Sequence, residues 1–174
     1  RMVLAGVEFD GATTRVVLAN DFKKSKQKLP KRHLTVDAWV AINQPTLWGG
    51  ILGVLQDNGN SEQGWILGYN DQSFTFGLAT KGASDGDGVM TYLVGKTAYD
   101  EGRYYHVSAT YDGVVQRLYV NGKLDAESRV QKGDILGHEF MGEVVETGTT
   151  AEIFANPQHP YTRMLLEAEA VGSP

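Results

Sequence analysis

The sequence predicts an all-β protein, a sandwich of antiparallel sheets. Three observations carry this. Short stretches rich in β-branched and aromatic residues recur along the chain with turn residues between them. Within them apolar and polar residues alternate with period two, as on a sheet that turns one face to a core. The 21 glycines in 174 residues suit a turn-rich β protein better than a helical one.

The clearest stretch is residues 104–126, YYHVSATYDGVVQRLYVNGKLDA, which reads as three strands joined by two hairpin turns. Asp112-Gly113 and Asn121-Gly122 are dipeptides that supply positive φ in two-residue hairpin loops. Val107, Ala109 and Tyr111 fall on one face of the first strand, and His106, Ser108 and Thr110 on the other. Along the whole chain, strands are expected at residues 3–9, 15–18, 34–42, 50–55, 64–69, 73–80, 89–94, 104–111, 115–120 and 123–130. Asp10-Gly11, residues 57–60, Asn70-Asp71, residues 82–88 and residues 100–102 supply turn chemistry between many of them. Residues 23–31 are polar and end in Leu29-Pro30, a loop leading into the sandwich. Phe74, Phe76 and Leu78 share a face and are expected in the core. Trp65, Leu67 and Tyr69 also share a face. They either fill the sandwich or, for Trp65 and Tyr69, stack on a sugar ring. Trp48, beside Pro45 and Gly49-Gly50 at a turn, is the better candidate for an exposed aromatic.

Composition bounds the function classes. The length fits one domain, or one domain with an appendage, and it can bury a core without staples. With no cysteine, neither disulfides nor thiolate metal sites are available. A net charge of −5 argues against a nucleic-acid surface. The cluster Lys23, Lys24, Lys26, Lys28, Lys31 and Arg32 reads as a solvated loop, with an anionic partner as the alternative. No apolar run approaches the ~20 residues of a membrane span. The chain opens at Arg1 with no export signal, as a processed or trimmed piece would.

The run 106–113, HVSATYDG, followed by 117–123, RLYVNGK, resembles the hairpins of laminin-G-like domains in the concanavalin-A-like superfamily. Residues 7–11, VEFDG, resemble that family's opening strand, and residues 34–40, LTVDAWV, its first long core strand, which implies that Trp39 packs inside. The resemblance covers about residues 3–130. It implies a jelly-roll β-sandwich of two curved antiparallel sheets, and a recognition module as its use.

The tail changes character. Residues 133–148, GDILGHEFMGEVVETG, resemble the Gly-His-Glu region of zinc-dependent alcohol dehydrogenases, where His138 would bind zinc and Glu139 would lie near it. A catalytic zinc needs about three protein ligands, and the upstream cysteine and a dinucleotide fingerprint are both missing. Residues 150–168 resemble the C-terminal tail of oligopeptide-type ABC-transporter ATPases, through 156–162, NPQHPYT. No phosphate loop accompanies them, so no ATPase follows. Pro160 is placed to open a short helix with Tyr161, Met164, Leu165 and Ala168 near one face. A third reading keeps a single fold: residues 140–146 and 151–153 look like a compressed laminin-G-like ending, and residues 135–146 are expected to pair with the sandwich. The expected division is a sandwich over 1–148 and a tail with a short helix over 149–174.

Candidate sites are few. Sugar-cleaving relatives carry two carboxylates bracketing the bond. Glu8-Phe-Asp10 lacks the second glutamate of their strand motif, and Asp125-Ala-Glu127 reads as solvated charge. No enzyme is expected. Calcium is the candidate cofactor, because it takes six to eight oxygens from loop residues. Asp57, Asn58, Asn60 and Asp71, on what read as neighbouring turns, form the first candidate cluster, and Asp85 with Asp87 the second. Plain turn chemistry is the favoured reading of both. The candidate ligand-binding residues are Trp48, Trp65 and Tyr69. The expectation is a noncatalytic module binding glycan or a protein surface, within a larger exported protein in the extracellular or periplasmic space. A structural domain packing against neighbouring domains or copies is the alternative. A zinc enzyme using His138 is the remote third.

Overall fold

A computed structural model describes residues 7–17, 30–57, 62–84 and 89–137. Eight strands follow in order: β1 (Leu34–Ala41), β2 (Gly49–Gln56), β3 (Gln63–Tyr69), β4 (Ser73–Ala79), β5 (Met90–Ala98), β6 (Tyr104–Tyr111), β7 (Gln116–Val120) and β8 (Lys123–Ser128). They form two four-stranded antiparallel sheets. Sheet A runs β1-β6-β7-β8 and sheet B runs β2-β3-β4-β5. The two inner faces close on one core, as in a jelly-roll sandwich.

Alternation decides which side chains face inward. Val107, Ala109 and Tyr111 of β6 are buried, as are Leu118 and Val120 of β7 and Leu34 and Val36 of β1. Phe74, Phe76 and Leu78 of β4 are fully buried opposite them. Phe74 meets the rings of Tyr99 and Tyr105 at 5.3 and 5.5 Å. The same parity rule corrects one expectation. Trp39 shares its face with Thr35 and Asp37, not with Val36, and is 70% exposed on the outside of sheet A.

The Asn121-Gly122 turn is a two-residue loop, with Val120 opposite Lys123 and both loop residues at positive φ. The Asp112-Gly113 turn is longer than expected. Tyr111 faces Gln116, so the loop holds four residues. Asp112 organises it: one carboxylate oxygen accepts the N–H groups of Val114 and Val115, and the other accepts Arg117 Nη1 at 2.9 Å. The hydrogen bond from Arg117, then that from the Val115 N–H, holds the Asp112 carboxyl down at about 2. A carboxyl depressed in the folded state stabilises above its unfolded pKa and loses that contribution as pH falls through the folded one. Stability should therefore decline between roughly pH 4 and 2. Asp112→Asn should flatten that part of an acid unfolding curve followed by circular dichroism.

Two strand expectations do not hold over the described residues. Residues 7–9 and 15–17 are not strands, and Val7, Phe9, Val16 and Val17 are exposed. Beyond β8 the chain returns to sheet B. Ile135, 2% exposed, forms an antiparallel bridge with Thr80, and Leu136 donates its N–H to Ala79. Buried Gln131 clasps this return: it accepts the Thr80 hydroxyl at 2.6 Å and donates to the Val89 carbonyl and Thr91 Oγ1. The expected C-terminal helix, His138, Glu139 and the 150–168 segment lie outside the described residues.

Candidate functional site

The outer face of sheet B is built on glycine. Gly53, Ile66, Gly77 and Tyr92 lie opposite one another in one row across the four strands. A Cβ at Gly77 would stand 2.7 Å from the Tyr92 ring and 2.9 Å from Ile66, so only glycine lets Tyr92 lie across β4. The Tyr92 hydroxyl then reaches past the end of β2 and donates to Asp57 Oδ2 at 2.6 Å. Burial, followed by the Asp57 carboxylate beside it, pushes the Tyr92 phenol well above the usual tyrosine range. The hydroxyl stays a donor at any ordinary pH. Trp48 leans on the same ring at 5.2 Å between centroids, with planes at 48°, and remains 62% exposed.

An indole held by a second ring, with a carboxylate fixed at its far side, suits a ligand with one apolar face and hydroxyl groups at its rim. Two of the sequence candidates, Trp48 and Asp57, are thus brought together by Tyr92. Tyr92 itself was missed, because its neighbours Thr91 and Leu93 gave no sign of a glycine opposite it.

The other candidates go elsewhere. Trp65 is 8% exposed within the core cluster. Tyr69 lies on the inner face, over the Cα of Gly49 and edge-on to Tyr99 at 6.3 Å. Asp71 sits in a turn organised by Asn70, whose side chain accepts the N–H groups of Gln72 and Ser73. This corrects the expectation that Asp57 and Asp71 neighbour one another. They flank opposite ends of β3, which puts roughly 20 Å between them, too far to share one ion. Asn58, Asn60, Asp85 and Asp87 lie outside the described residues. Among the described residues no group of three or more His, Asp or Glu could hold a metal.

Asp125 is not the solvated charge expected. A register shift in the β7–β8 pairing leaves it unpaired as a bulge between Leu124 and Ala126. Its carboxylate accepts the N–H groups of Lys96 and Thr97 and the Thr97 hydroxyl, inside a second bulge on β5. A structural role accounts for all of these contacts.

On the opposite side of the sandwich, a groove of about 480 Å³ opens between edge strands β1 and β2, with Leu34, Val36, Leu52 and Trp65 among its walls. The Trp65 indole N–H is buried there without a hydrogen-bond partner.

Residues 10–141 match the concanavalin A-like lectin/glucanases superfamily. The chain belongs to this family. Residues 145–171 match the C-terminal region of oligopeptide/dipeptide transporters. Mouse pappalysin-1 is 27% identical over 119 residues, covering 62% of this chain and 7% of that protein. The dipeptide transport ATP-binding protein DppF of Haemophilus influenzae is 54% identical over 35 residues, 20% of this chain and 11% of that protein. The glutathione import ATP-binding protein GsiA of Escherichia coli K12 is 51% identical over 35 residues, 20% of this chain and 6% of that protein. The chain therefore spans 11% or less of the length of each of these curated relatives. Family membership supports a binding or structural module and names no target. No helix among the described residues is long and apolar enough to cross a membrane.

Proposed function

We propose that the chain is a noncatalytic recognition module of a larger exported protein, and that it binds a neutral glycan on the outer face of sheet B. The exposed Trp48 ring, braced by a Tyr92 whose hydroxyl is held by Asp57, carries this reading. A pyranose lays its C–H face on the indole, and the Asp57 carboxylate beyond the Tyr92 ring would repel an anionic sugar. The sandwich over 1–148 forms the module, and 149–174 is an appended tail.

Calorimetry with neutral oligosaccharides, with and without calcium, tests it. Trp48→Ala should weaken binding about tenfold or more, since an anchoring aromatic is worth upwards of ~1.4 kcal/mol. Tyr92→Phe should weaken it less, because the ring support survives. Unchanged affinity in Trp48→Ala would remove this site.

A second reading rests on the groove between β1 and β2. Both strands are sheet edges, and β2 carries no charge or proline to guard its edge. A structural module would cover these edges with a neighbouring domain or copy. Sedimentation of the module with its natural flanking sequence would show a dimer where a copy covers the edge, and hydrogen exchange would show protected β2 amides where a neighbouring domain does.

A further inference from the structure

Trp39, which is left outside the core, does not stand alone. It lies opposite His106 in the β1–β6 register and leans on the imidazole at 5.2 Å, with planes at 37°. His106 Nε2 in turn donates to Asp37 Oδ1 at 3.1 Å. The histidine backbone is pinned as well. Its N–H donates to Asn121 Oδ1 at 3.0 Å, and its carbonyl accepts the Asn121 N–H at 2.7 Å. The outer face of sheet A thus repeats the arrangement of sheet B: an exposed indole, a bracing ring at the same 5.2 Å, and a carboxylate holding the polar atom of that ring.

We infer that Trp39, His106 and Asp37 form a second platform for a sugar ring of a neutral glycan, which makes the module bivalent. This rests on the sheet B reading for the ligand class and on independent residues for the site. Exposure of the indole at 70% gives the pyranose face its surface. The bracing ring restricts the indole before binding, so less side-chain entropy is lost when the sugar arrives. Asp37, with its side chain 57% exposed, accepts sugar hydroxyls, and the imidazole adds a ring nitrogen beside it. Two carboxylate-bearing platforms on a chain of net charge −5 select against uronic or sulfated sugars. The platforms face away from each other across two sheets spaced ~10 Å apart. A short oligosaccharide cannot span both, so the two sites hold separate glycan chains.

Titration calorimetry with laminarihexaose and mannohexaose, on the whole chain, tests this. For a bound sugar, wild type should take two molecules per chain, Trp39→Ala and Trp48→Ala one each, and the double variant none. His106→Gln and Asp37→Asn should weaken the Trp48→Ala protein's remaining site severalfold, with the fold checked by circular dichroism. Beads coated with the same sugar should aggregate with wild type and stay dispersed with either single variant. One site in wild type, lost in Trp48→Ala and intact in Trp39→Ala, overturns the second platform and leaves sheet B standing. One site lost only in Trp39→Ala overturns bivalence and the sheet B reading instead. Binding of neither hexasaccharide, or of anionic glycans or proteins alone, overturns both.

Discussion

Gly64→Ala should be among the most destabilising single substitutions in the sandwich, at about 3 kcal/mol or more. Two costs coincide at this position. The backbone stands at φ +93°, a conformation that residues with a Cβ rarely adopt. The new methyl would also lie 1.9 Å from the Val54 carbonyl oxygen, a backbone atom that cannot swing away as a side chain could. Leu55 is the cross-strand partner of Gly64, so relief would require β2 and β3 to separate. The Gly64 N–H also donates to Leu136 at 2.9 Å, so the returning segment would be disturbed too. Urea unfolding should show a lower midpoint with an unchanged slope. A loss under ~1 kcal/mol would mean that β2 does not approach β3 at this point as described.

Asp125→Ala is the second. It removes the acceptor for the exposed Lys96 N–H and for the part-buried Thr97 N–H and hydroxyl in the β5 bulge, and unmade hydrogen bonds of the part-buried donors cost roughly 1–3 kcal/mol. Gly95 gives an internal check. A Cβ there would lie 2.3 Å from Asp125 Oδ2, and at 3.0 and 3.1 Å from Phe74 O and Leu118 Cδ2. Gly95→Ala should therefore cost less in the Asp125→Ala background than in wild type, a coupling of about 0.5 kcal/mol or more in a double-mutant cycle. Additive losses would show that the carboxylate does not sit against the bulge.

The sheet architecture was legible because it depends on signals one or two residues long. The period-two alternation of β6 put Val107, Ala109 and Tyr111 inside, and Asn121-Gly122 announced its own turn. Asp112-Gly113 shows where that legibility stops. The same kind of dipeptide closes a four-residue loop, because Asp112 captures the N–H groups of Val114 and Val115 and so sets the register. The site was harder to read. Trp48 could be picked out by its turn, but its brace comes from β5 at the far edge of the sheet, and Gly77 between them looks like any strand glycine. Trp39 was misplaced because its strand resembles the family's core strand, while its own parity is that of Asp37. Asp125 looked solvated because neither bulge that brings it to β5 has a sequence mark of its own.

The pairing of β1 with β6 has a consequence for how the chain becomes folded as it is made. Sheet B is a meander of consecutive strands, so each can join its neighbour soon after emerging from the ribosome. β1 emerges first of the described strands and waits longest for its partner, since the whole of sheet B lies between it and β6 in sequence. Until β6 arrives, both of its edges and its apolar face wait unpaired, the condition in which a nascent strand is open to aggregation or chaperone capture. Destabilising changes in sheet B should therefore slow the completion of sheet A, while changes confined to β1 should leave the meander to form at its own rate.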